Sequence, residues 1–135
     1  MTVPRFRAWE KTCKTMYEAD DIVYIDFEDK EICVKTLFFE KAARYDFDDI
    51  VLMQSTGLKD KNGKEIFEGD ILSIETDEEN VRVEVSWDSK HALFLFESKK
   101  YDEKEPLSEL LEDSSYPFKI IGNIHTNPEL VEVEQ

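Results

Sequence analysis

The chain has 135 residues, 41% of them hydrophobic, which is enough to bury a core without the help of metals or disulfides. No apolar run approaches the roughly 18 residues that span a bilayer, and residues 1–10 lack the apolar stretch of a secretion signal, so a cytoplasmic, non-membrane protein is expected. Thirty-two acidic residues against 17 basic ones leave a net charge of −15, which disfavours non-specific nucleic-acid binding because such a surface repels phosphate backbones.

The charge is unevenly spread. Arg5, Arg7, Lys11 and Lys14 against Glu10 make residues 1–16 basic, whereas residues 17–50 are strongly acidic. A basic edge beside an acidic body can pair with an acidic patch on the same chain or on a second copy; the plainer alternative is a solvated surface that keeps the protein in solution.

In chain order, alternation predicts a first strand with Phe6 and Ala8 on one face and Arg5, Arg7 and Trp9 on the other. After a polar connection, Met16 and Tyr17 open a second strand, giving a hairpin. Residues 22–27 and 32–34 flank the charged turn at 28–31 and form another. Residues 37–49 read as a short helix or an irregular segment. Strand character returns at Ile50 to Gln54, and the turn around Asn62-Gly63 carries the dipeptide that tolerates positive φ at two consecutive positions. Gly69 and Asp70 form a second turn before Ile71, and the charged stretch at 75–80 must be exposed.

Val81, Val83, Val85 and Trp87 then alternate strictly with polar residues, which marks a half-buried antiparallel strand. Residues 92–96 are apolar on both faces and call for cover on both sides. Pro106 sits where a helix can begin, and Leu107, Leu110 and Leu111 share one helical face, predicting a helix near 106–113. A last strand covers 118–124, with Gly122 as a bulge or point of close approach. The fold class expected is mainly β (α+β): an antiparallel N-terminal β lobe at 1–55, packed on a small SH3-like β-barrel at 56–130 with the short helix inserted, and a loose tail at 131–135.

Three blocks, Phe6-Arg7-Ala8-Trp9, the contiguous stretch from Leu52 to Asp70 that includes Gly57, Asn62, Gly63 and Gly69, and Gly122-Asn123-Ile124-His125-Thr126-Asn127-Pro128-Glu129-Leu130, stand in the order found in the YopX family. The chain resembles that family, small proteins encoded by bacteriophages and prophages of Gram-positive bacteria, over nearly its whole length. The resemblance implies a phage or prophage origin, hence the host bacterial cytoplasm, a β-rich fold with a small barrel, and self-association. It brings with it no activity and no functional residue.

The residues themselves offer little chemistry. Cys13 and Cys33 form no CxxC and have no histidine nearby, so they read as reduced, buried small apolar residues. His91 and His125 form no metal-binding spacing, the glycines match no phosphate loop, and no serine has a nucleophile setting. Acid pairs such as Asp20-Asp21 lack apolar surroundings that would raise a pKa. No catalytic, metal or cofactor site is therefore expected, and no cofactor. Asn62, Gly63, Gly69, Asp70 and Gly122 read as structural turn residues. Arg5, Arg7 and Trp9 form the candidate interaction face, since arginine and tryptophan dominate binding hot spots. The expected role is that of a non-enzymatic accessory protein that binds itself or a phage or host protein. The alternative is a nucleic-acid-related role, as an acidic DNA mimic or a specific binder through the basic N-terminal edge.

Overall fold

The computed structural model describes residues 4–36, 41–112 and 115–131. The chain divides into two units, Met1–Ser55 and Thr56–Gln135. Both are built of curled antiparallel sheets, and the second also carries the α-helix, so the fold class is mainly β.

In the first unit, β1 (Phe6–Glu10) pairs antiparallel with β2 (Thr15–Tyr17) on one side and with the start of β6 (Ile50–Lys59) on the other. The turn between β1 and β2 is closed by a side chain. Glu10 is 2% exposed, and its two carboxylate oxygens accept the Thr12 N–H at 2.9 Å and the Cys13 N–H at 2.6 Å. These hydrogen bonds, that from the Cys13 amide first, outweigh desolvation and hold the Glu10 carboxyl below its ordinary value. Cys13 itself is exposed rather than buried, and the hydrogen bond and charge of Glu10 push its thiol up, away from the reactive thiolate form. Cys33 is buried, as its apolar neighbours Ile32 and Val34 lead one to expect.

A second sheet in this unit orders β3 (Ile22–Asp26), β4 (Glu31–Lys35) and β5 (Ala42–Asp46). β5 and the 3-10 turn Phe47–Asp49 replace the helix or irregular segment read from 37–49; residues 37–40 lie outside the described residues. The reason is that Ala43 and Tyr45 share one face of a strand and pack on Ile32 and Val34, whereas alanine carries too weak a signal for the alternation to be visible in sequence. The register of β3 shifts between Ile22 and Tyr24, so Ile22 and Ile25 both reach the core while Val23 and Phe27 stay 52% and 62% exposed. Phe27 meets the rings of Phe6 and Phe47 edge-on at 6.2 and 5.9 Å.

The second unit begins within β6, whose end pairs with β7 (Glu65–Phe67). Its five-stranded sheet has the order β11 (Glu103–Pro106), β10 (Leu93–Ser98), β9 (Asn80–Asp88), β8 (Asp70–Glu75), β12 (Phe118–Asn123). Leu72, Ile74, Val83, Val85 and Phe118 supply the core, and α1 (Ser108–Glu112) adds Leu107, just before it, and Leu110. The helix is shorter than its expected 106–113. Pro106 closes the edge strand β11 opposite Leu95, where its missing N–H costs no ladder bond, and residue 113 lies outside the described ones. Leu111 is 40% exposed, because a helix of this length buries only a narrow stripe. Phe94 and Phe96 pack on the core, while Leu93 and Leu95, on the other face of β10, are only half-covered.

The turn after β6 differs from the two-residue form suggested by Asn-Gly. Only Gly63 has positive φ, at 79°, and its N–H donates to the Asp60 carbonyl at 3.0 Å. This is the longer hairpin solution, a turn through Lys61 and Asn62 followed by a left-handed glycine. Asp60 selects it. Its carboxylate, 7% exposed, accepts the N–H groups of Asn62 at 3.0 Å and Lys64 at 2.9 Å on Oδ1, and that of Ile120 in β12 at 2.9 Å on Oδ2. At the next turn Gly69, φ 85°, donates to the Val85 carbonyl and accepts from Ile124, while Asp70 Oδ2 accepts the Phe67 N–H at 2.8 Å.

Three outcomes follow from this packing. Replacing Asp60 by alanine removes the charged acceptor of three part-buried amides and should cost about 3 kcal/mol in a urea unfolding series, with Asp60→Asn, which keeps one carbonyl oxygen, costing less. A Cβ at residue 122 would collide with the Asn127 carboxamide and touch Leu130, so Gly122→Ala should lower stability by roughly 1–3 kcal/mol in the same assay. For Glu10 the folded pKa lies below its ordinary 4.5, so its contribution is fully present above that value and lost as pH falls through the lower, folded pKa. Thermal unfolding from pH 6 downward should therefore show a fall in stability that Glu10→Gln diminishes.

Candidate functional site

Alternation along β9 places Val81, Val83 and Val85 on one face, and the ladder sets Val81 opposite Ile74 of β8 and Val85 opposite Phe96 of β10. Leu110 approaches the same face from α1. Ile74, Val81, Val83, Phe96 and Leu110 form the floor of a groove of about 400 Å³ in the second unit. That volume suits one or two side chains or a small ligand.

Its rim is polar and aromatic. On one side the β8–β9 turn is closed by the Thr76 N–H donating to the Glu79 carbonyl at 3.0 Å, and it carries Asp77 and Glu78, both exposed. At the neighbouring turn the buried Ser98 hydroxyl accepts the Tyr101 N–H at 3.2 Å and fixes the start of the β10–β11 connection, which leads through Tyr101 to Glu103. Lys100 joins the two rims: its Nζ lies 2.8 Å from Glu79 Oε2 and 5.4 Å above the Tyr101 ring. Tyr116, 44% exposed, completes the mouth. Neither histidine lines the groove, and no group of His, Cys, Asp or Glu among the described residues is placed to hold a metal ion. His91 instead closes its own turn, its Nδ1 2.7 Å from Asp88 Oδ2. That hydrogen bond holds the Asp88 carboxyl below its ordinary value.

The residues singled out in sequence are placed as follows. Arg5 is exposed and 3.4 Å from Asp20, Trp9 is half-buried, and Arg7 is only 5% exposed. They do not make one open face. β1 lies between β2 and β6 and is covered on both faces, with Ala8 buried on one and Arg7 on the other, whereas the alternation rule assumes a strand with one wet face. Gly69, Asp70 and Gly122 come together, since Asp70 and Ile71 pair with Asn123 and Gly122 across a bulge in β12. Asn62 and Gly63 sit at the exposed tip of the Asp60 turn. The groove has no local signature because its lining comes from six separate segments; the one hint is the acid run at 75–80, which sequence alone marks only as exposed.

Comparison with known proteins follows the same outline. A family model described as YopX protein matches residues 5–132. The chain belongs to the YopX family. Two solved structures of similar form are those of protein EF1440 from Enterococcus faecalis, with a TM-score of 0.66 and 30% identity over 98% of this chain and 100% of that one, and of yopX from Bacillus subtilis, with a TM-score of 0.64 and 20% identity over 95% and 98%. No curated protein matches the chain. The YopX-family blocks quoted from the sequence fall largely on the scaffold, in β1, in β6 to β8 with their turns, and at the end of β12. The groove lining lies wholly outside them, in residues 74–116.

Proposed function

We propose that this YopX-family chain is a non-enzymatic, phage- or prophage-encoded accessory protein that works in the host cytoplasm by contact with another polypeptide, a second copy of itself or a phage or host protein. The observation that supports this reading is the groove of the second unit: an apolar floor framed by two tyrosines and three exposed carboxylates. Apolar floors with aromatic rims suit the burial of a partner's side chain, because tyrosine offers a large rigid face at small entropic cost.

A photo-reactive amino acid at position 116, introduced in the full chain and irradiated in host cells, should give a discrete covalent adduct with a polypeptide. Absence of any polypeptide adduct from that position, together with a monomer at every concentration in sedimentation, would overturn the reading.

A further inference from the structure

The groove's chemistry is specific enough to name the kind of side chain it takes. We propose that it receives an arginine or lysine side chain of a partner protein; this rests on the reading of the groove as a protein-contact site. The floor of Ile74, Val81, Val83, Phe96 and Leu110 matches the aliphatic stem of such a side chain, which buries its methylenes while keeping its charged head in water. Asp77 and Glu78 on one rim and Glu103 on the other stand where that head would emerge.

These three carboxylates make no ion pair with any described residue, whereas the neighbouring Glu79 is already matched by Lys100. Lys100 shows in cis how the rim treats a cation: an ammonium held 2.8 Å from a carboxylate and 5.4 Å over a tyrosine ring. Tyr116 offers a further exposed ring at the mouth. A ligand head would thus repeat at Asp77, Glu78, Glu103 and Tyr116 the arrangement that Lys100 makes with Glu79 and Tyr101.

Charge also sorts the other occupants. An acidic peptide or a nucleic acid meets the carboxylates of the mouth and a chain of net charge −15. The exposed apolar edge of a second copy, Val23 with Phe27, arrives flanked by Asp20, Asp21, Glu28 and Asp29 and is repelled for the same reason.

The test uses the full chain and two fluorescein-labelled peptides, one alternating leucine with arginine and one in which every arginine is glutamate, followed by fluorescence anisotropy. The arginine peptide should bind, weaken as salt is raised, and exceed the glutamate peptide by at least about tenfold in affinity. The triple variant Asp77→Asn, Glu78→Gln, Glu103→Gln, altered only at exposed positions, should keep its thermal unfolding and lose at least about tenfold in affinity. A control variant with three carboxylates removed elsewhere, Glu28→Gln, Asp29→Asn, Asp48→Asn, should stay within about twofold of the parent. Equal affinity for both peptides, binding of neither, or equal losses in the two variants would overturn the proposal. A polypeptide adduct at position 116 without preference for the basic peptide would remove the charge class and leave the protein-contact reading intact. Failure of both experiments would remove both.

Discussion

A single buried carboxylate organises the second unit. Asp60 gathers two amides of its own turn and one from Ile120, sixty residues on. The adjoining Lys61 adds a backbone bond to the Phe118 carbonyl and an ion pair with Glu75. Together these contacts fasten the β6–β7 turn to the start of β12 and the end of β8. A hydrogen bond to a charged acceptor contributes on the order of 1.5–3 kcal/mol, comparable with the whole net gain from a buried leucine. The tie adds to the β8–β12 ladder in holding β12 at the sheet edge.

The groove depends on that placement. Phe118 stands opposite Ile74, a floor residue, and the Glu75 N–H donates to the Pro117 carbonyl, so the segment bearing Tyr116 is held beside the β8–β9 turn by the same set of bonds. Ser98 and Lys100 do the corresponding work at the neighbouring turn. The blocks in which the chain resembles the family thus position the segment from β8 to Tyr116, and this segment lines the groove.

Legibility in the sequence followed the range of the interactions. The strict alternation of Val81 to Trp87 and the strand, turn and strand around Asn62-Gly63 are local patterns, and both are strands and turns in the structure. β5 was obscured because Ala42 and Ala43 hardly distinguish a strand from a helix, and only packing on β4 decides. The position of Leu111 and the end of β11 at Pro106 depend on how few turns the helix makes, which spacing alone does not limit. The rule for half-buried strands places Arg7 on an open face, whereas β1 buries Arg7 on one side and Ala8 on the other. Asp60 lies in the turn that Asn62-Gly63 marks in the sequence, but its bond to Ile120 joins residues far apart in the chain. The groove, drawn from six segments, leaves only the acid run at 75–80 as a local trace.

The most direct test of this account is amide hydrogen exchange, followed by NMR in the parent and in Asp60→Ser. With the carboxylate as a shared anchor, the amides of Asn62, Lys64 and Ile120 should be protected in the parent. In the variant all three should lose protection together, while the β9–β10 ladder around Val85 and Phe96 keeps most of its own. Unchanged protection of Ile120 in the variant would show that β12 is held independently of Asp60 and would contradict the account.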